Sequence, residues 1–256
     1  MPWAVRRRFL YLLGVAAFFA LTVGVPLIFF THRTPTCTDG ILNQGETDID
    51  KGGPCPVLDE RLLAPQAILW ARSFRVRDGS YNAAAYIQNS NQAAGILPLS
   101  YRFRLYDADS ILVAEREGIT FVMPGGVTPV FEPHIGTGNR IVTHTFFEFT
   151  SPVVWARASN AGAAVTVSSR EVGNTDSSPR IAAVAENTSV ATMNNVSLIA
   201  VVFDTSGNAF AASKTSVARL KGSEKTSIVF TWPDPFTSTV GRIDIIPALP
   251  PAPIHP

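Results

Sequence analysis

Side chains able to do chemistry gather between Cys37 and Cys55, where the chain reads CTDGILNQGETDIDKGGPC. Asp39, Asn43, Glu46, Asp48 and Asp50 set oxygens among Gly40, Gly45, Gly52 and Gly53. A hard cation such as calcium takes several carboxylate, amide and carbonyl oxygens from a turn-rich backbone, and glycine lets a loop fold round an ion. The D-x-[DN]-x-[DN]-G order of an EF-hand is missing, and no helices flank the run. The other reading of the same residues is a polar linker tied by a disulfide, with no ion and no cofactor. The chain has only these two cysteines, and their placement fits one bridge in an oxidising compartment.

Elsewhere the chemistry thins out. The four histidines are His32, His134, His144 and His255. His134 and His144 could meet across a hairpin, but no cysteine or paired carboxylate accompanies them at ligand spacing. No serine lies in a G-x-S-x-G nucleophile elbow, and no glycine-rich phosphate loop leads into a helix. Asp107 and Asp204 read as turn caps, because aspartate bonds its own backbone two residues on. Trp70, Trp155 and Trp232 read as core residues. Lys and Arg number 21 against 20 Asp and Glu, a net charge of +1, so the basic excess of a nucleic-acid binder is missing. No catalytic residue is assigned, and the chain is read as non-enzymatic.

The loop must be held by what precedes it. Residues 9–30, FLYLLGVAAFFALTVGVPLIFF, carry no charge and follow Arg6, Arg7 and Arg8. A helix of about 20 residues, rising about 1.5 Å each, crosses a hydrocarbon core of about 30 Å. The run is longer than a signal-peptide core and ends in a poor cleavage context, Phe29-Phe30-Thr31-His32-Arg33. It reads as a single-pass anchor, with residues 1–8 cytoplasmic by the positive-inside rule and the bulk of the chain outside. Trp3 and Tyr11 fit the inner interface, His32 and Arg33 the outer one.

Beyond a linker at 31–64, the chain says nearly the same thing twice. Asn89-Ser90 answers to Asn187-Thr188, Tyr106-Asp107 to Phe203-Asp204, and Pro124-Gly125-Gly126 to Lys221-Gly222-Ser223. A repeat of about 100 residues suits two copies of one small domain. Residues 65–158 and 159–247 form the two copies, each a series of short strands broken by turn residues. Tyr101, Phe103 and Leu105 alternate with Arg102, Arg104 and Tyr106, the period of a half-buried strand. The counterpart at 196–203 is apolar on both faces. Either it is a central strand covered on both sides, or it meets the first domain. Residues 248–256 are Pro-rich and expected to be extended and mobile.

Phe103-Arg104-Leu105-Tyr106-Asp107 spells F-x-L-Y-D. With Ile87-Gln88-Asn89 before it and Pro124-Gly125 after it, the region resembles the FxLYD family of bacterial extracytoplasmic domains. The second copy keeps only the aromatic-Asp ending, Phe203-Asp204. The resemblance implies an immunoglobulin-like β-sandwich, a bacterial envelope setting and no catalytic residue. The cysteine loop is similar to a short extracellular motif, C-x-D-G-x-x-N-x-x-E-T-x-x-D-C-G-G-x-C, near the anchors of bacterial surface proteins. Lys51 stands where that motif has a cysteine, which leaves one bridge, Cys37 to Cys55. The expected architecture is all-β: two tandem immunoglobulin-like sandwiches behind one transmembrane helix at 9–30. The expected function is a non-enzymatic envelope binding or scaffolding protein, anchored in the membrane, with a protein or glycan partner. The alternative is an accessory subunit of a membrane-bound secretion, pilus or transport complex.

Overall fold

The computed structural model describes residues 3–26 and 34–254, in two compact units, Met1–Cys55 and Pro56–Pro256. In the first, helix α1 (Trp3–Phe19) runs into a wider π turn at Ala20–Gly24. The helix buries none of its residues, and the span Trp3–Gly24 is long and apolar enough to cross a membrane. It starts before the uncharged run, so Arg6, Arg7 and Arg8 ride on its first turns; arginine is a good helix former. The last four residues of the expected span, and His32, Arg33 and His255, lie outside the described residues.

The second unit is all-β. Its strands are β1 (Ala67–Arg77), β2 (Ser80–Asn89), β3 (Ala94–Tyr106), β4 (Leu112–Val122), β5 (Gly126–Gly136), β6 (His144–Phe149) and β7 (Trp155–Ser159), followed by β8 (Val165–Gly173), β9 (Arg180–Asn187), β10 (Met193–Asp204), β11 (Ala209–Leu220), β12 (Lys225–Thr231), β13 (Val240–Ala248) and β14 (Ala252–Pro253). In the first sandwich, sheet β1-β2-β5 faces a sheet ordered β14-β7-β3-β4, with β6 also paired to β3. In the second, β8-β9-β12 faces β11-β10-β13. The first, second and fifth strands make one sheet in each sandwich, and the third and fourth open the other. All pairings are antiparallel.

Alternation builds the cores. Tyr101, Phe103 and Leu105 point inward with Tyr81, Ala83, Ala85, Ile87, Ile96, Val130 and Phe147. Ile181, Ala183, Ala185, Leu198, Ala200, Val202, Phe230 and Trp232 fill the second core. Three strands depart from the sequence expectation, each for a chemical reason. β4 runs unbroken for 11 residues, where short strands broken by turn residues are expected. Its charged middle is held by cross-strand ion pairs, Glu117 to Arg102 at 2.8 Å and Glu115 to Arg104 at 3.1 Å. β5 carries Pro129 and Pro133, which a central strand excludes; it lies at the edge of its sheet. β8 is also an edge strand, and its polar Ser168-Ser169-Arg170-Glu171 follows no two-residue period because the register slips there.

A third core lies between the sandwiches. Phe74, Ala84 and Tyr86 of sheet β1-β2-β5 meet Ile199, Val201, Phe203, Ala209 and Ala212 of sheet β11-β10-β13. Both open alternatives for 196–203 therefore hold at once: β10 is central in its sheet, and its outer face is filled by the first sandwich. The four sheets stack face on face. The Pro-rich end is extended as expected but does not stand free. Ala252 and Pro253 pair with Ser159 and Ala158 of β7, and Ile254 donates to the Arg157 carbonyl at 3.3 Å. The edge position of β14 spares its proline a ladder donor.

Candidate functional site

The loop forms as a single closed element. Cys37 and Cys55 are disulfide-bonded. Two glycines close the turn against it. Gly53 has φ +49° and a Cβ there would meet the Gly45 carbonyl oxygen at 2.1 Å; Gly52 has φ +72° and a Cβ would meet Thr47 Oγ1 at 2.0 Å. Neither position admits a side chain.

The loop oxygens go mainly to backbone amides. Asp39 accepts from Thr36 N at 3.1 Å, Ile41 N at 2.9 Å and Asn43 Nδ2 at 2.9 Å. The Asn43 bond, then those two amides, holds the Asp39 carboxyl below the usual carboxylate range. Glu46, buried, accepts from Asn43 N and Asp50 N, each at 3.3 Å, and Asp50 accepts from Gly40 N at 3.2 Å. Asp48 accepts from Ile49 N at 2.9 Å. Asn43 Oδ1 is buried without a hydrogen-bond partner. Among the described residues, one trio of ligand types brings its atoms within 4.8 Å of one another: Cys37, Glu46 and Cys55. Its two sulfurs are spent on the disulfide, so they supply no thiolate. In this arrangement the loop oxygens accept mainly from backbone amides.

The other expected sites resolve as structure. Asp107 accepts from Asp109 N at 3.1 Å and Ile111 N at 2.9 Å; Asp204 accepts from Ser206 N at 2.9 Å and Asn208 N at 2.8 Å. Trp232 is buried in the second core, Trp155 packs on the first, and Trp70 stands against Tyr86 with ring centroids 4.4 Å apart. His134 and His144 line different clefts.

No family model matches the chain, and no curated protein matches it. Among solved structures, a red sea bream transglutaminase aligns at 9% identity and a TM-score of 0.26, over 77% of this chain and 32% of that one. At that score it bears on neither fold nor activity.

What sequence reading missed lies along the seam between the sandwiches. Arg72 donates to the Ala209 carbonyl and to Asn208 Oδ1, both at 3.2 Å across the seam. Asn82, nearly buried, accepts from His134 N at 3.1 Å and donates to the Ala212 carbonyl at 3.4 Å. Beside it opens a cleft of about 380 Å³ lined by Val76, Phe131, Pro133, Trp232 and Pro233, with Arg77, His134 and Lys214. These come from β1, β5, β11 and the end of β12, so no local pattern announces them.

Proposed function

We propose that this chain is a non-enzymatic binding or scaffolding protein of the bacterial cell envelope, anchored by α1 with its N-terminus in the cytoplasm. The observation that carries the reading is the order of elements: three arginines, an apolar helix, a disulfide-tied loop, then an all-β unit. Disulfides persist on the oxidising side of a membrane, and Arg6–Arg8 favour the other side. We read the two sandwiches as copies of one FxLYD-type domain of immunoglobulin-like fold. The shared strand order and the paired turn caps at Asp107 and Asp204 support this. The alternative, an accessory subunit of a membrane complex, rested on a free apolar face of 196–203. That face is filled from within the chain, which favours the binding module.

In-cell crosslinking of the anchored protein, followed by mass spectrometry, tests the reading. The expected result is no recurrent stoichiometric protein partner. Repeated capture of one or two defined membrane-complex proteins would replace it with the subunit reading.

A further inference from the structure

The cleft at the seam has the make-up of a ligand site. Its volume, about 380 Å³, lies within the range of about 300–1,000 Å³ typical of small-molecule sites, which favour domain junctions. Val76, Phe131, Pro133, Trp232 and Pro233 give the wall its apolar part, and its polar groups are Arg77, Asn82, His134, Ser213, Lys214 and Thr231. Arg77 and Lys214 arrive from different sandwiches and bring two positive charges to one opening. No ion pair engages either among the described residues, nor the ring of His134. Asp78, in the turn after β1, is taken by Arg75; Glu132, between Phe131 and Pro133, accepts from the Tyr101 hydroxyl; and Asp234 follows Pro233 at the rim.

The backbone here is held in place at a cost. His134 has φ +54°, the left-handed region that non-glycine residues seldom occupy. Its N–H is fixed by the Asn82 side chain, whose other end holds the second sandwich through the Ala212 carbonyl. Such strain persists where the surroundings over-determine it, and it concentrates at binding sites.

We infer that this cleft binds an organic carboxylate of the uronic-acid type, its ring against Phe131, Val76 and the two prolines and its acid group between Arg77 and Lys214. An inorganic anion would leave the apolar wall unused. A neutral sugar would leave both cations without a partner. Arginine takes a carboxylate through a planar two-pronged contact, and lysine adds a point charge. The inference deepens the binding reading above and rests on it.

The test is titration of the full chain in detergent micelles, followed by calorimetry, with three probes at constant ionic strength: glucuronate, an oligogalacturonate and inorganic phosphate. Uronate binding is expected, phosphate is expected not to compete, and Arg77→Ala or Lys214→Ala is expected to weaken binding about tenfold each. Both side chains are exposed, so melting should not move. Lys225→Ala, at the opposite end of β12 from the cleft, removes one charge and serves as the control. Tighter binding of the oligomer marks a polymer as the source of the carboxylate, and equal binding marks a free acid; both support the site. No uronate binding, or binding that phosphate displaces, overturns it. Uronate binding that ignores Arg77→Ala and Lys214→Ala overturns this cleft while leaving the binding-module reading intact.

Discussion

Asn187 donates its Nδ2 to the carbonyls of Ala191, Leu220 and Lys221 at 2.7, 3.2 and 3.1 Å and accepts from Ser189 N at 3.0 Å. Asn89 does the same work in the first sandwich, reaching Ala94 and Met123 carbonyls at 2.8 and 2.9 Å and accepting from Asn91 N at 2.9 Å. Both are fully buried, so each ties three segments with bonds that water cannot replace. Asn187→Ala strips buried carbonyls of their donor and is expected to cost about 3 kcal/mol in chemical denaturation. Tyr86 is the opposite case. Its hydroxyl is buried in the seam without a hydrogen-bond partner, and burial, then the charge of the nearby Asp244 carboxylate, pushes the phenol far above its usual range. Tyr86→Phe is therefore expected to leave stability within about 0.5 kcal/mol of the parent in the same assay. The equivalence of Asn89 and Asn187 was visible in the sequence as matched turn residues. Their role was not, because each also serves a carbonyl more than thirty residues away in the chain, Met123 for Asn89 and Leu220 and Lys221 for Asn187.

At the scale of the element, the disulfide loop is self-sufficient. Thr47 N bonds the Lys51 carbonyl at 3.0 Å, Lys51 N bonds the Asp48 carbonyl at 2.9 Å, and Cys55 N bonds the Gly52 carbonyl at 2.9 Å. Closing a loop of this size by a disulfide contributes about 3 kcal/mol in the chain-entropy model. Chelation of calcium from the full chain is thus expected to leave the rate of loop proteolysis unchanged. Gly53→Ala, which drives a methyl into the Gly45 carbonyl, is expected to speed both proteolysis and reduction by dithiothreitol. Slower proteolysis on adding calcium would show instead that Glu46 and Asp50 leave their amides to bind it. The loop's boundaries, bridge and glycines were all legible in the sequence. Where its oxygens point was not, since the same asparagine and aspartates serve an ion or an amide. Edge strands were the other blind spot, because β5 and β8 need neither alternation nor freedom from proline.

On the scale of the whole molecule, the second unit behaves as one folded body. The shared core around Val201 and Phe203 is buried like either sandwich interior, with Val201 wholly so. Arg242 caps it, its guanidinium 4.1 Å from the Phe203 ring centre. The outward face of β3 is a lattice of Arg102, Arg104, Glu115, Glu117 and Glu148, as expected of the outer layer of a stack that does not extend. Unfolding should follow a single transition. Val201→Asp, which buries an unpaired charge, should cost about 3–5 kcal/mol and split the thermal melt in two. Two separate transitions in the parent protein would mean instead that the sandwiches fold independently. The pairing of β14 with β7 bears on the order of folding. The second sandwich is inserted between two neighbouring strands of the first, so that sheet stays one strand short until nearly a hundred further residues have been synthesised. The first sandwich must wait for its last partner, and the second acts meanwhile as the tether that delivers it.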